Sequence, residues 1–323
     1  MEKIDVVIPC YNENECVPLI FAEIRKLFEN ELNTFEWSVI YVDDGSSDGT
    51  LEQIIQLENQ YGSEYVKYIS FARNFGKEAA IYAGLEKSTA DYVALMDADL
   101  QHPPELLTEM ISAIKDKDYD CAAARRVSRD GEPPVRSFFS AKFYNVINKL
   151  AGIQLMPGMT DYRLMRADVA KAVVSLHERE RFLKGIYSWI GFKTYWIPYE
   201  NIERAAGKSK WSMRGLWNYA KSGFIAFANA PLRGAIYLGM IVVLLSVIYG
   251  IWILSMVISG ERVWTESVTI ILLLLFLGGT IITILGVIGE YLARIYMEAK
   301  GRPIYITRAT NIKRDGAVKD ELL

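Results

Sequence analysis

Residues 92–104 read Tyr92-Val93-Ala94-Leu95-Met96-Asp97-Ala98-Asp99-Leu100-Gln101-His102-Pro103-Pro104. The first five are apolar or aromatic, and a short apolar run bounded by turn residues reads as a buried strand. It stops at two aspartates one residue apart. Two carboxylates on one turn can meet a divalent cation, one directly and the other directly or through water. Hard oxygen ligands select Mg²⁺ or Mn²⁺, and Mg²⁺ takes one or two carboxylates together with substrate phosphates. Aspartates also end strands for local reasons, by bonding their own backbone in a turn. Taken alone, Asp97-x-Asp99 fits that plainer reading better.

The same pattern repeats upstream. Ile4–Pro9 is a short run rich in β-branched residues, Trp37–Val42 a second strand, and Val66–Phe71 a third. Between them, Val17–Phe28 carries apolar residues at helical spacing, and Thr50–Tyr61 and Lys77–Lys87 also read as helices. Ser47 or Asp48 is placed to cap the helix at Thr50. Strands alternating with helices of this length predict a parallel sheet with helices on both faces. Such sheets bind ligands beyond the carboxyl ends of their strands, at a topological switch point. Tyr11-Asn12-Glu13, Asp43-Asp44-Gly45-Ser46 and Asp97-Ala98-Asp99 each follow a strand, so they are expected to converge on one cleft. Two aspartate clusters at the ends of one sheet favour a nucleotide-diphosphate site over two unrelated turns.

The carboxyl-terminal third is different. No charged residue occurs from 235 to 260 or from 267 to 289. About 20 apolar residues span a bilayer core of roughly 30 Å, so both runs qualify as membrane helices, at about 235–258 and 267–290. Lys208, Lys210, Arg214, Lys221 and Arg233 precede the first run, and Arg294, Lys300, Arg302 and Arg308 follow the second. The short loop between them, 261–266, holds one basic residue, Arg262. The positive-inside rule then puts both flanks in the cytoplasm and the loop outside, with Trp252 and Trp264 suited to the interface. Glu2-Lys3-Ile4-Asp5 lacks the apolar stretch of a secretory leader, so the first part of the chain is expected to stay in the cytoplasm. Lys319 to Leu322 reads Lys-Asp-Glu-Leu but Leu323 follows, so it is no terminal retention signal. Thirty-six Lys and Arg against 39 Asp and Glu leave no basic field for nucleic acid, and 51% hydrophobic residues exclude disorder. Cys10, Cys16 and Cys121 form no CxxC pair, so neither a zinc site nor a disulfide framework is indicated. The expected division is a cytoplasmic domain over 1–230, a two-helix membrane domain over 233–296 and a cytoplasmic tail over 297–323.

Pro9-x-Tyr11-Asn12-Glu13, Val42-Asp43-Asp44-Gly45-Ser46-x-Asp48-Gly49-Thr50 and Asp97 to Pro104 together resemble the family 2 glycosyltransferases of the GT-A fold. Phe71-Ala72-Arg73-Asn74-Phe75-Gly76-Lys77, Thr160-Asp161-Tyr162-Arg163-Leu164, Arg204-x-x-Gly207-x-Ser209-Lys210-Trp211 and the membrane pair narrow the resemblance. They are similar to polyprenyl-phosphate glycosyltransferases, the group holding bactoprenol glucosyltransferases and dolichol-phosphate mannose synthases. The match runs over roughly residues 4–310. Each motif is weak alone, and their order and spacing carry the resemblance.

That resemblance implies a Rossmann-like, mostly parallel GT-A sheet and a set of roles. Pro9, Tyr11, Glu13, Val42 and Asp44 would line the base and ribose pocket. Asp97, Ala98, Asp99 and Gln101 would hold Mg²⁺ or Mn²⁺ and the diphosphate. Arg126 would contact donor and acceptor phosphates, although Ala124-Arg125-Arg126 leaves Arg125 as a rival. Arg136 would be a second acceptor-phosphate contact, and Arg204 and Lys210 would close over the donor phosphates. Asp161 stands where the family places its candidate base, and it is read here as orienting the acceptor or a basic partner. The implied reaction takes a sugar, glucose or N-acetylglucosamine, from a nucleotide donor, UDP above GDP, to undecaprenyl phosphate. The product would serve cell-envelope glycan modification. The implied place is the plasma membrane, multi-pass, with catalytic domain and termini inside. Membrane pairs of this type often self-associate, so a homo-oligomer is expected.

Two further stretches carry apolar stripes edged with basic and aromatic residues, at about 136–152 and 211–229. They suit interfacial helices that bring the cleft to a lipid phosphate; packing on the sheet or on another subunit fits the first equally well. A processive polysaccharide synthase or a soluble-acceptor transferase shares the early motifs. The former would carry Gln-x-x-Arg-Trp, which this chain lacks, and more membrane helices. A nucleotidyltransferase would carry a glycine-rich loop where this chain has Pro9-Cys10-Tyr11. An inert membrane scaffold would have no use for the acidic and basic motif residues.

Overall fold

The structure is a computed structural model, and it describes residues 1–127, 148, 154–179, 181–200, 230–260 and 266–312. Eight strands form one sheet in the order β7-β5-β6-β4-β1-β2-β3-β8. The first four strands are β1 (Lys3–Cys10), β2 (Glu36–Asp43), β3 (Val66–Phe71) and β4 (Tyr92–Leu95). They are followed by β5 (Cys121–Arg126), β6 (Met159–Arg166), β7 (Thr194–Tyr199) and β8 (Thr307–Thr310). Strands β3, β2, β1 and β4 run parallel to one another, while β6 lies antiparallel to both β4 and β5. Since β7 is parallel to β5, only β6 and β8 oppose the rest among the described strands. The mostly parallel GT-A sheet expected from the motifs is what the chain forms.

Among the described residues six helices cover the sheet: α1 (Cys16–Asn30), α2 (Thr50–Tyr61), α3 (Lys77–Lys87), α4 (Leu106–Asp116), α5 (Ala167–Ser175) and α6 (Leu183–Trp189). The central strands alternate between two cores, as a period of two residues requires. Ile4, Val6 and Ile8 of β1 with Val39 and Tyr41 of β2 pack against Phe21, Phe28, Ile54 and Met110 of α1, α2 and α4. Val7, Ile40 and Val42 pack on the other face against Ile81, Val173 and Ile186 of α3, α5 and α6. Both faces are covered, which is why these strands read as unbroken apolar runs. Residues of α3 come so close to β1 that a Cβ at Gly84 would collide with Val7.

The expected strand ends move by one or two residues, with β1 extending to Lys3–Cys10 and β2 to Glu36–Asp43. The cap of α2 needs correcting. Gly49, at φ +86°, occupies the N-cap position. Asp48 stands one residue earlier and accepts bonds from the Thr50 N–H at 3.1 Å and its hydroxyl at 2.5 Å. Ser47 instead donates its N–H to Asn12 Oδ1 at 2.8 Å.

Helices α7 (Ala230–Ile258) and α8 (Glu266–Ala299) contain all but the last two residues of the first uncharged run and the whole of the second. They hold windows long and apolar enough to cross a membrane, Tyr237–Met256 and Phe276–Ala299. Their apolar side chains face outward, among them Leu244, Trp252, Ile282 and Leu292. At 1.5 Å per residue α8 is about 50 Å long, more than a bilayer core needs. Its end reaches the folded domain, where Glu298 accepts the Arg179 N–H at 2.8 Å.

The division of the chain is also corrected here. Residues 297–323 were expected to form a tail, yet Thr307–Thr310 return to the sheet and pair antiparallel with β3. Tyr305 stacks on Phe71 at 4.8 Å, and the Asn311 side chain bonds the backbone of Val66 and Tyr68. The reason is the edge of β3, whose unpaired backbone groups need a partner. The sheet is therefore completed by residues that follow both membrane-length helices.

Candidate active site

The chain runs β1, β2, β3 outward on one side of β1 and then returns to β4 on the other. That reversal is a switch point, and the loops after β1 and β4 open there. The loops after β1 and β2 are sewn together. Asn12 donates its N–H to Ser46 Oγ at 2.9 Å, Glu13 to Thr50 Oγ1 at 2.8 Å and Asn14 to Asp48 Oδ2 at 3.3 Å. Asn12 takes φ +53°, a left-handed conformation that asparagine tolerates better than most residues. Tyr11 stands partly exposed at the cleft, while the Val42 side chain is buried in the α3-side core, so only its backbone can face a ligand.

Asp43 accepts the Ser46 N–H at 3.0 Å and the Ser70 hydroxyl at 2.8 Å, closing its own turn. Asp44 reaches the other way. Its two oxygens accept the N–H groups of Phe75 at 2.6 Å and Gly76 at 2.9 Å. Burial pushes the Asp44 carboxyl up to about 6, against the pull of those two donors. Gly45, at φ +69°, lets this turn approach the next loop, because a Cβ there would strike the Arg73 carbonyl carbon. The loop Arg73–Gly76 is thus held from β2, and Lys77 follows it as the first residue of α3.

The Lys77 ammonium lies between two carboxylates, 2.7 Å from Asp97 Oδ1 and 2.8 Å from Asp161 Oδ2. The sheet explains the meeting. Strand β4 pairs with β6 so that Leu95 lies opposite Arg163. Two residues further on, the same antiparallel register brings Asp97 opposite Asp161. Side chains of Lys77, Asp97 and Asp161 keep 35%, 24% and 20% of their surface, so the cluster faces the cleft. Burial opposes charge on Lys77 and on Asp161. For Asp161, the ammonium of Lys77, with Lys184 and Arg163 nearby, outweighs burial and holds the carboxyl well below the usual range. Asp161 and Asp97 in turn hold the Lys77 ammonium above its ordinary value.

Asp99 Oδ1 accepts the Gln101 N–H at 3.3 Å across Leu100, which takes the left-handed φ of +55°. Ala98 is buried. His102 sits between the rings of Tyr162 and Tyr199, at 5.6 and 5.4 Å, and its Nδ1 is buried without a hydrogen-bond partner. Burial pushes its imidazole below the ordinary value, with Asp97 and Asp99 pulling the other way. Tyr162 donates its hydroxyl to the Pro104 carbonyl at 3.0 Å, which ties β6 to the segment after Asp99.

Arg126 ends β5, and its N–H bonds the Gly158 carbonyl at 2.9 Å. Gly158 takes φ +80°, and a Cβ there would strike the Arg126 carbonyl oxygen. The two candidate arginines diverge. Arg125 turns to Met156 Sδ at 3.5 Å. Arg126 acts on the same group as the aspartates: burial pushes the Tyr199 hydroxyl up to about 12, Arg126 opposing and Asp97 and Asp99 adding to it. Arg163 is buried beneath Asp161, donates to the carbonyls of Asp161 and Thr160, and packs 3.3 Å from the centre of the Tyr187 ring.

A divalent cation fits this donor set. Among the described residues no three His, Cys, Asp or Glu side chains gather as a protein cage. Mg²⁺ does not ask for one, since one or two carboxylates plus substrate phosphates suffice. Asp97 already presents an oxygen to a cation, the Lys77 ammonium. Cys10, Cys16 and Cys121 are buried. Arg136, Arg204 and Lys210, and the stretches 136–152 and 211–229 apart from Asn148, lie outside the described residues.

Sequence reasoning passed over Lys77 as a site residue, although it ends the quoted string Phe71 to Lys77. A lysine in the first turn of a helix, where the macrodipole favours acids, was the available signal.

The family described as Glycosyl transferase family 2 matches residues 5–174, and the family described as GtrB C-terminal hairpin matches 230–295. The chain is 43% identical over 309 residues to the CsbB protein of Bacillus subtilis (strain 168), covering 96% of this chain and 92% of that one. It is 37% identical to a prophage bactoprenol glucosyl transferase homolog of Escherichia coli (strain K12), covering 95% and 98% of the two chains. A bactoprenol glucosyl transferase of Shigella phage SfX is 36% identical, with 95% and 99% covered.

Proposed function

Because the chain belongs to glycosyltransferase family 2, we propose that it moves a hexose from a UDP-sugar to undecaprenyl phosphate on the cytoplasmic face of the plasma membrane. One observation carries the reading. Asp97 and Asp161 meet on Lys77 at the switch point of a sheet whose last strand follows two membrane-length helices. Relatives named bactoprenol glucosyl transferase, alike along nearly their whole length, support a polyprenyl phosphate acceptor. Glucose is the sugar in those names, and N-acetylglucosamine is the alternative to compare.

Asp97, Asp99 and Gln101 would hold Mg²⁺ or Mn²⁺, which would supply positive charge at the leaving diphosphate. The acceptor is a phosphomonoester with a second pKa near 6, so at pH 7 it is mostly a dianion. One of its oxygens attacks the anomeric carbon, the bond from that carbon to the β-phosphate oxygen breaks, and UDP leaves with the electron pair. The configuration inverts. No proton need be removed from the nucleophile, so Asp161 is an orienting carboxylate. Arg126, Arg136, Arg204 and Lys210 are assigned to the phosphates, which suits their chemistry, since guanidinium forks bind phosphate in pairs of bonds.

The test uses purified full-length protein in detergent with labelled UDP-glucose, UDP-N-acetylglucosamine or GDP-mannose, Mg²⁺ and undecaprenyl phosphate. Label is expected in the organic phase and is expected to leave the lipid in mild acid, as a glycosyl phosphate does. Label that stays aqueous with every donor sinks the lipid acceptor and favours a soluble-acceptor transferase. Orientation is tested separately in intact cells. A Trp264→Cys protein should react with an impermeant thiol reagent and a Lys313→Cys protein should not. The reverse pattern would place the site outside.

A further inference from the structure

We propose that Lys77 is a positioning residue that joins the donor end of the site to the acceptor end, acting through Asp97 and Asp161. It rests on the reaction proposed above. Asp97 belongs to the group assigned to cation and diphosphate, and Asp161 to the acceptor side. The register of β4 on β6 forces these two like charges to face each other. Carboxylates brought together either separate or lose a charge, unless a cation stands between them. Lys77 is that cation, with one N–H for each carboxylate at 2.7 and 2.8 Å.

Its own position is braced. Gly76, at φ +101°, sets the turn into α3, and its N–H is held by Asp44. A line of direct contacts therefore runs from Asp44 through Gly76 and Lys77 to Asp97 and Asp161. Helix geometry does not account for the lysine, because a cation at the N-terminus of a helix opposes the macrodipole. Lysine suits the task, being a compact charge with three donors that can serve two carboxylates at once.

Lys77→Met, Lys77→Arg, Asp161→Asn and the double variant Lys77→Met/Asp161→Asn are compared for turnover. Lys77→Met is expected to lower kcat about tenfold, while KM for the nucleotide sugar changes less than about threefold. Lys77→Arg is expected to recover most of the rate. Since Lys77 acts in part through Asp161, the double variant should lose less than the product of the two single losses. Independent losses that multiply, or an unchanged kcat in Lys77→Met, would overturn the proposal. The second readout needs no turnover. Mn²⁺ binding in the presence of UDP, followed by electron paramagnetic resonance, is expected to be as tight or tighter in Lys77→Met, because a rival cation has left Asp97. Binding more than about tenfold weaker would make Lys77 a direct diphosphate contact and would refute the positioning role. A wild-type protein that makes no lipid product counts against the reaction alone, and the Mn²⁺ measurement then still decides on Lys77. Should Lys77→Met unfold, Lys77→Arg and Lys77→Gln carry both readouts.

Discussion

Replacing Asp97 or Asp99 by asparagine is expected to lower turnover at least about a hundredfold, the scale of losing a key electrostatic stabiliser at a leaving group. Both lie just past the end of β4, where the chain has turned back across the sheet to the far side of β1. The asparagines keep shape and remove charge, so folding should survive. Asp97→Asn also loses the ion pair to Lys77, whereas Asp99→Asn leaves it intact. A chelator should reproduce the loss in the wild-type protein, and added Mn²⁺ or Mg²⁺ should restore it. Full rate in EDTA would remove the metal from the reading of this site.

Asp161→Asn is expected to slow the reaction roughly tenfold to a hundredfold while the rise of rate with pH near 6 remains, because that rise follows the acceptor phosphate. The folded-state pKa of Asp161 is depressed, so its contribution is present above the unfolded value near 4 and fades only as pH falls through the folded one. The folded-state pKa of Lys77 is raised, so its contribution is present below about 10.4 and fades as pH rises through the folded value. Between about pH 5 and 9 both groups stay charged, and neither can produce a limb at 6. A carboxylate held this far down is a poor proton acceptor at pH 7. A loss of about 10²–10⁴ together with disappearance of the limb would instead mark Asp161 as an obligatory base. Rates measured from pH 5 to 8 with saturating acceptor separate the two outcomes.

Much of this architecture was legible in the residues, for a local reason. Strands β1 to β4 are buried on both faces, and burial on both faces writes a continuous apolar run into the chain. Helices α2 and α3 start and stop where their periodicity does, at Thr50–Tyr61 and Lys77–Lys87. Two charge-free stretches longer than a bilayer core announce α7 and α8. Asp97-x-Asp99 is local too, since neighbours in sequence share a turn whatever the rest of the fold does.

Long-range register left no such trace. Lys77 meets Asp161 across 84 residues because β6 is antiparallel to β4 in one particular alignment, and no spacing in the chain encodes that. A polar edge strand, Thr307-Arg308-Ala309-Thr310, has neither the alternation nor the apolar content that marks a strand, so β8 reads as tail until the open edge of β3 claims it. Arg125 and Arg126 are equal as letters, and the Met156 contact of Arg125 exists only once β5 and the segment before β6 are in place. Periodicity records which residues are buried, and a charge pair is recorded only by the distances that packing creates. That is why strands, helices and the aspartate turn could be read from the chain, while the Lys77 bridge and the returning strand were settled by the assembled sheet.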